Sequence, residues 1–193
     1  MLNAPCSGRA TFASACRLLW LTGLMVMLNG CSPPFNWRES RPDAQGFVVL
    51  MPARTAQMSR EIDLDGLRVT MVMTGARVDS SLFTVGVVEL ARDAIGERDR
   101  ALSAMRAGML RNLAASTTAE RAIELPVIDA SGRTLARTPA LRLEAQGRMG
   151  GERVRMVALF VARGERLWQA VAIEPDPGGE PSATMIDSFR LLE

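Results

Sequence analysis

The sequence has no histidine and no tyrosine, and all 23 of its basic residues are arginine. Each absence removes a class of chemistry. Without imidazole there is no Ser-His or Cys-His couple and no imidazole ligand for a metal. Without lysine there is no Ser-Lys dyad and no Schiff base. The three cysteines, Cys6, Cys16 and Cys31, all precede Ser32, so the rest of the chain has neither thiol nor disulfide. Only carboxylates, hydroxyls and arginine remain for catalysis. The expectation is a non-enzyme that needs no cofactor and no metal. A genome favouring Arg and Ala codons explains the arginine bias.

What is present is concentrated at the start. Leu18 to Cys31 is an uncharged apolar run ending in Leu28-Asn29-Gly30-Cys31. Arg9 and Arg17 precede it, and Ser32-Pro33-Pro34 follows. A positive flank and a short apolar core are the marks of a secretory signal. The run is short of the roughly 20 apolar residues that span a bilayer, and the prolines stop a helix from continuing. This stretch resembles the signal peptide and lipobox of bacterial lipoproteins, although Asn29 stands where lipoboxes usually carry Ala, Ser or Thr. The resemblance implies cleavage between Gly30 and Cys31, a lipid on Cys31, and a membrane as the first partner. Ser32, rather than Asp, after the cysteine implies the outer membrane, with the chain facing the periplasm. The alternatives are an uncleaved transmembrane anchor and processing at Cys16, which almost no apolar run precedes.

Removing residues 1–30 from the chain of 193 leaves 163, enough for one domain with its own core. Arg9 and Arg17 leave with the leader, so of 23 basic and 21 acidic residues 21 of each remain. No basic tail or stripe supports nucleic-acid binding. Residues 31–45, with three prolines and mixed charge, read as the lipidated cysteine and an extended tether. Within it Phe35 and Trp37 are either interfacial or packed back on the domain.

Residues 46–193 read as one α+β domain. Gly46 to Met51 is a short strand ended by Pro52. Asp65-Gly66 joins two strand-like arms, 57–64 and 67–74, and is a strong hairpin signal. In the second arm Leu67, Val69, Met71 and Met73 share a face. This methionine stripe suits either a core or an adaptable binding surface. Ser81 to Ala91 is a further strand. Over 97–114 the period changes: Leu102, Met105, Met109 and Leu113 make the stripe of an amphipathic helix laid on a sheet. Glu120 to Ile128 is a strand bent at Pro126, and Leu141 and Leu143 belong to the next. Val157 to Ala162 is continuously apolar, the pattern of a strand covered on both faces and therefore central. Leu167 to Ile173 is its hairpin partner. Ser182 is expected to cap a short closing helix with Met185, Ile186 and Phe189.

This order is similar to the PsbP-like fold, including DcrB-like bacterial lipoproteins. The resemblance rests on Phe47-Val-Val-Leu-Met-Pro52, on Ala101-Leu-Ser-Ala-Met-Arg-Ala-Gly-Met-Leu110, on Arg166-Leu-Trp-Gln169 and on Asp187-Ser-Phe-Arg-Leu-Leu192. It implies a largely antiparallel sheet packed against one long central helix and a short C-terminal helix. It also implies an accessory or scaffolding role, although fold alone does not supply function.

Several candidate sites have ordinary structural explanations. Asp63 and Asp65 are close enough to hold Ca²⁺ or to act as acid and base, but no further ligands follow at loop spacing. Glu174, Asp176 and Glu180 form a looser acidic loop. Gly147-Arg-Met-Gly-Gly151 is rich in glycine without the lysine or the strand–loop–helix setting of a phosphate loop. The expected function is therefore a lipid-anchored envelope module that binds an unidentified envelope protein. The alternative is a carrier of a small apolar ligand, held between helix and sheet by Met105, Met109 and Trp168.

Overall fold

The computed structural model describes residues 35–193. Gly30, Cys31 and the expected cleavage and lipidation lie outside the described residues. The strands are β1 (Arg38–Ser40), β2 (Phe47–Met51), β3 (Ala56–Leu64), β4 (Leu67–Val78), β5 (Ser81–Glu89), β6 (Ser116–Ile128), β7 (Thr134–Met149), β8 (Glu152–Arg163), β9 (Arg166–Pro175) and β10 (Arg190–Leu192). Two helices interrupt them, α1 (Arg98–Asn112) and α2 (Glu180–Ser188). All ten strands form one sheet in the order β1-β2-β10-β6-β7-β8-β9-β5-β4-β3. Every pairing is antiparallel except β10 with β6. The protein is thus a mixed α+β molecule dominated by a largely antiparallel sheet. Its longer helix has 15 residues and lies on one face of the sheet.

The local signals act as expected where pattern and pairing agree. Asp65 and Gly66 both take positive φ, 59° and 90°, the twist a two-residue hairpin needs. Asp63 Oδ1 accepts the Gly66 N–H at 2.7 Å and fixes the turn. The apolar run of β8 sits between β7 and β9 in the middle of the sheet, and Met156 to Val161 are all buried. Apolar residues cover both of its faces, which is why the run does not alternate.

The tether is a correction. Residues 35–45 belong to the folded unit. The Phe35 and Trp37 rings stack at 5.9 Å, and both meet the Phe83 ring edge-on at 6.4 Å. Arg38–Ser40 then pairs with β2. Extended, proline-punctuated backbone is equally fit for a spacer and for an edge strand. Packing of the two half-buried rings against Phe83 decides between them here.

Each face of the sheet has its own core. On the first, Phe47, Phe83, Val85, Val127, Leu159, Trp168 and Ala170 pack with Met185, Ile186 and Phe189 from the α2 region. On the second, Met71, Val88, Leu143, Met156, Phe160, Leu167 and Val171 pack with Ala101, Met105 and Leu113 from the α1 region. Fully burying one such side chain stabilises by about 1.5–3 kcal/mol. Ser182 does not cap α2 as an acceptor. It lies inside the helix and its hydroxyl donates to the Gly179 carbonyl at 2.9 Å. The cap comes from the preceding strand: buried Glu174 accepts the Gly179 and Ser182 N–H groups, each at 3.2 Å. A carboxyl side chain reaches these N–H groups, and the serine hydroxyl faces the other way.

Candidate functional site: a methionine-lined groove

An open groove of about 410 Å³ lies between α1 and the β3–β4 hairpin. Met71 and Met73 line it from the sheet, and Met105 and Met109 from the helix. The sheet register explains the meeting. Met58, Met73, Gly86, Gln169 and Phe160 stand directly opposite one another across β3, β4, β5, β9 and β8. Opposite residues point to the same face, here the face that α1 covers. On the helix Met105 and Met109 are four residues apart and therefore one above the other.

Glycine at position 86 makes the space. A Cβ there would stand 2.9 Å from Met71 Sδ and 3.2 Å from the Gln169 side chain. Met71 and Gln169 lean into the room this leaves. Gln169 is 6% exposed in an otherwise apolar stretch of β9. Its Nε2 reaches Met71 Sδ at 3.7 Å, a weak contact. Its buried Oε1 has no hydrogen-bond partner among the described residues. Leaving such an acceptor unpaired costs about 1–3 kcal/mol, whereas an apolar residue of the same shape costs almost nothing.

The charge on this side is basic: Arg60, opposite Met71, and Arg111 line the groove, whereas Glu61 and Asp63 alternate onto the other face of β3. Two ion pairs hold α1 over the sheet. Arg106 Nη1 donates to Glu120 Oε1 at 2.8 Å, and Arg100 lies 3.7 Å from Asp65. Both are largely exposed, so each fixes position more than stability.

Of the three residues expected to make a groove, two do so. Met105 and Met109 line it; Trp168 does not. It lies on the opposite face of β9, in the core that holds α2, and its Nε1 donates to the Gln45 carbonyl at 2.8 Å. Adjacent strand residues point to opposite faces, so the groove receives Gln169 instead. Composition alone marked Gln169 as the one polar side chain in Leu167–Ile173, but not the face it serves. The β4 stripe supplies the two remaining methionines, and only the pairing brings it to the helix.

The other candidates resolve into structure. Asp63 serves the turn, and Asp65 pairs with Arg100. Glu174 caps α2. Gly147–Gly151 closes the β7–β8 hairpin, where Arg148 Nη1 donates to the Gly151 carbonyl at 2.8 Å. The carboxyl of Asp129 is held below its usual range, chiefly by the Ser131 hydroxyl and then by the Arg133 N–H. This pins the exposed β6–β7 turn.

No family model matches the chain, and no curated protein matches it. Among solved structures, the chain is similar to the cyanobacterial PsbP, CyanoP, of Synechocystis sp. PCC 6803. The TM-score is 0.49 at 13% identity, covering 84% of this chain and 96% of that one. It is also similar to PA94, a protein of unknown function from Pseudomonas aeruginosa, with a TM-score of 0.37 at 10% identity, over 73% and 84% of the respective chains.

Proposed function

We propose that this is a lipid-anchored lipoprotein of the bacterial cell envelope. In this proposal its PsbP-like domain faces the periplasm and binds a small occupant without catalysis. The anchor rests on the leader and on Leu28-Asn29-Gly30-Cys31. The described domain begins at Phe35, four residues after Cys31 in the sequence, so a lipid on that cysteine would keep the domain near the membrane. No helix among the described residues is long and apolar enough to cross a membrane.

The observation that carries binding is the groove, with its buried, unpartnered Gln169 Oε1. Its volume is within the usual range for small-molecule sites. The first expectation from sequence, a protein partner, has less support. Met58, Ile95 and Leu135 are the exposed large apolar residues among those described. They lie on β3, the 3-10 turn Arg92–Glu97, and β7, and three residues on separate elements do not make the apolar patch that marks an interface. Intact mass of membrane-extracted protein tests the anchor. A chain beginning at a lipid-bearing Cys31 supports it, with Cys31→Ser losing membrane association. A retained leader, or a Cys31→Ser form that still fractionates with membranes, overturns it.

A further inference from the structure

We infer that the groove between α1 and the β3–β4 hairpin takes a single-chain carboxylate amphiphile, a free fatty acid, with its head on Arg60 and Arg111 and its chain over the methionines. The inference rests on the small-occupant reading of this groove and is independent of the lipid anchor. Two kinds of surface meet here. Ile62, Met71 and Met73 from the sheet and Met105 and Met109 from the helix are apolar. Arg60 and Arg111 line the same space, and neither has an ion-pair partner among the described residues. Arg60 stands opposite Met71 in the register, so it shares the face that α1 covers. Glu61 and Asp63 alternate onto the other face and leave it unneutralised. Arg111 folds back along the helix: a Cβ at Gly108 would stand 3.8 Å from its Nη2, and Gly108 also lines the groove. Glycine in a helix interior costs about 1 kcal/mol relative to alanine; here it keeps the helix wall low beside the arginine.

The chemistry of the occupant follows from this lining. An apolar surface with two unneutralised cations is complementary to a hydrophobic body with an anionic end. The guanidinium fork accepts carboxylate and phosphate alike, and the volume selects between their lipid sources. At roughly 30 Å³ per methylene, about the share of a water in the liquid, 410 Å³ holds one chain of about a dozen carbons and not the two chains of a phospholipid. Unbranched methionines change rotamer to follow a flexible chain. Gln169 sets the direction. Its Nε2 donates to Met71 Sδ, and its buried Oε1 is an unpaired acceptor at the floor, where a carboxylate would be repelled. The head therefore stays with the arginines and the chain end goes to the floor. In the sequence Arg60 and Arg111 are two arginines among many. Only the β3–β4 pairing and the seat of α1 bring them to one groove.

The test is calorimetric titration of the full chain, carrying Cys31→Ser so that it brings no lipid of its own, with decanoate and with decanol. The two share a chain, so the difference in affinity reads the head alone. We expect one decanoate per chain, bound at least about tenfold more tightly than decanol. Arg60→Gln with Arg111→Gln should abolish that difference and leave decanol binding unchanged. Arg77→Gln with Arg153→Gln, outside the groove, removes the same charge and should preserve it. All four arginines are exposed, so glutamine spares the fold, which unchanged near-ultraviolet circular dichroism confirms for each variant. Equal affinity for the two compounds, or a preference that survives in the Arg60 and Arg111 variant, overturns the carboxylate and leaves a neutral small occupant. Binding of neither compound refutes the small-occupant reading as well. Capture of phosphatidylglycerol vesicles through the same two arginines, without decanoate binding, also overturns the inference and makes this face a headgroup surface.

Discussion

Strand β9 presents Trp168 to one face of the sheet and Gln169 to the other, and the two faces are built differently. On the α2 face the large side chains are almost fully buried, the Phe47 and Phe189 rings stack at 5.7 Å, and the Trp168 N–H has its acceptor. On the α1 face the helix itself buries only Ala101 and Met105, methionines line the open groove, and a buried acceptor is unpaired. One face is organised to hold the fold. The other gives up some packing around its groove, as binding surfaces do, while each face leaves one buried polar atom unpaired, Gln169 Oε1 here and Arg142 Nε on the α2 side. An alternative view, in which both faces are simply core, predicts similar responses to substitution on either side.

The largest contrast should come from Phe83→Ala. Phe83 is fully buried and is the platform for Phe35 and Trp37. Its loss should cost about 3–5 kcal/mol in denaturant unfolding, and a cost below 1 kcal/mol would remove the claim that this face carries stability. Next is Glu174→Ala, which strips two N–H groups at the start of α2 of their shared acceptor. We expect a loss of about 1–3 kcal/mol by the same measurement, together with faster amide exchange at Gly179 and Ser182.

Gln169→Leu sharpens the comparison because its sign should be opposite. Replacing an unpaired buried amide with an apolar residue should leave stability unchanged or raise it by about 1 kcal/mol. A large destabilisation would mean that Gln169 is an ordinary satisfied core residue. The smallest effect should be that of Asp129→Asn at the exposed β6–β7 turn. The folded state lowers the carboxyl's pKa, so its contribution is present above the ordinary value of 3.8 and is lost as pH falls through the lowered one. Thermal unfolding of the wild type and the variant should therefore differ slightly at neutral pH and converge in acid.

Much of this architecture is legible in the chain. Asp65-Gly66 forces its hairpin, the unbroken apolar run of β8 requires cover on both sides, and Ala101, Met105 and Leu113 give α1 its inner edge. What the chain conceals is which face each residue serves. When both sides of a strand are apolar, alternation vanishes. Nothing local then assigns Trp168 to α2 and Gln169 to α1. Strand β7 runs from Thr134, well before Leu141, because its first half is exposed and carries no apolar alternation. Strand β10 has only three residues and is defined by its partners β2 and β6. The groove was half visible, since two methionine sets stood out separately, but their meeting depends on the register of β4 with β5 and β9.

The most direct test is methionine-methyl nuclear magnetic resonance of the chain during titration with pyrene, a probe for a small apolar occupant of the groove. The methyl signals of Met71, Met73, Met105 and Met109 should shift together and saturate at one equivalent, while those of Met51 and Met185 stay in place. Shifts spread evenly over both faces, or no shift among the four, would contradict the division of labour between the two sides of the sheet.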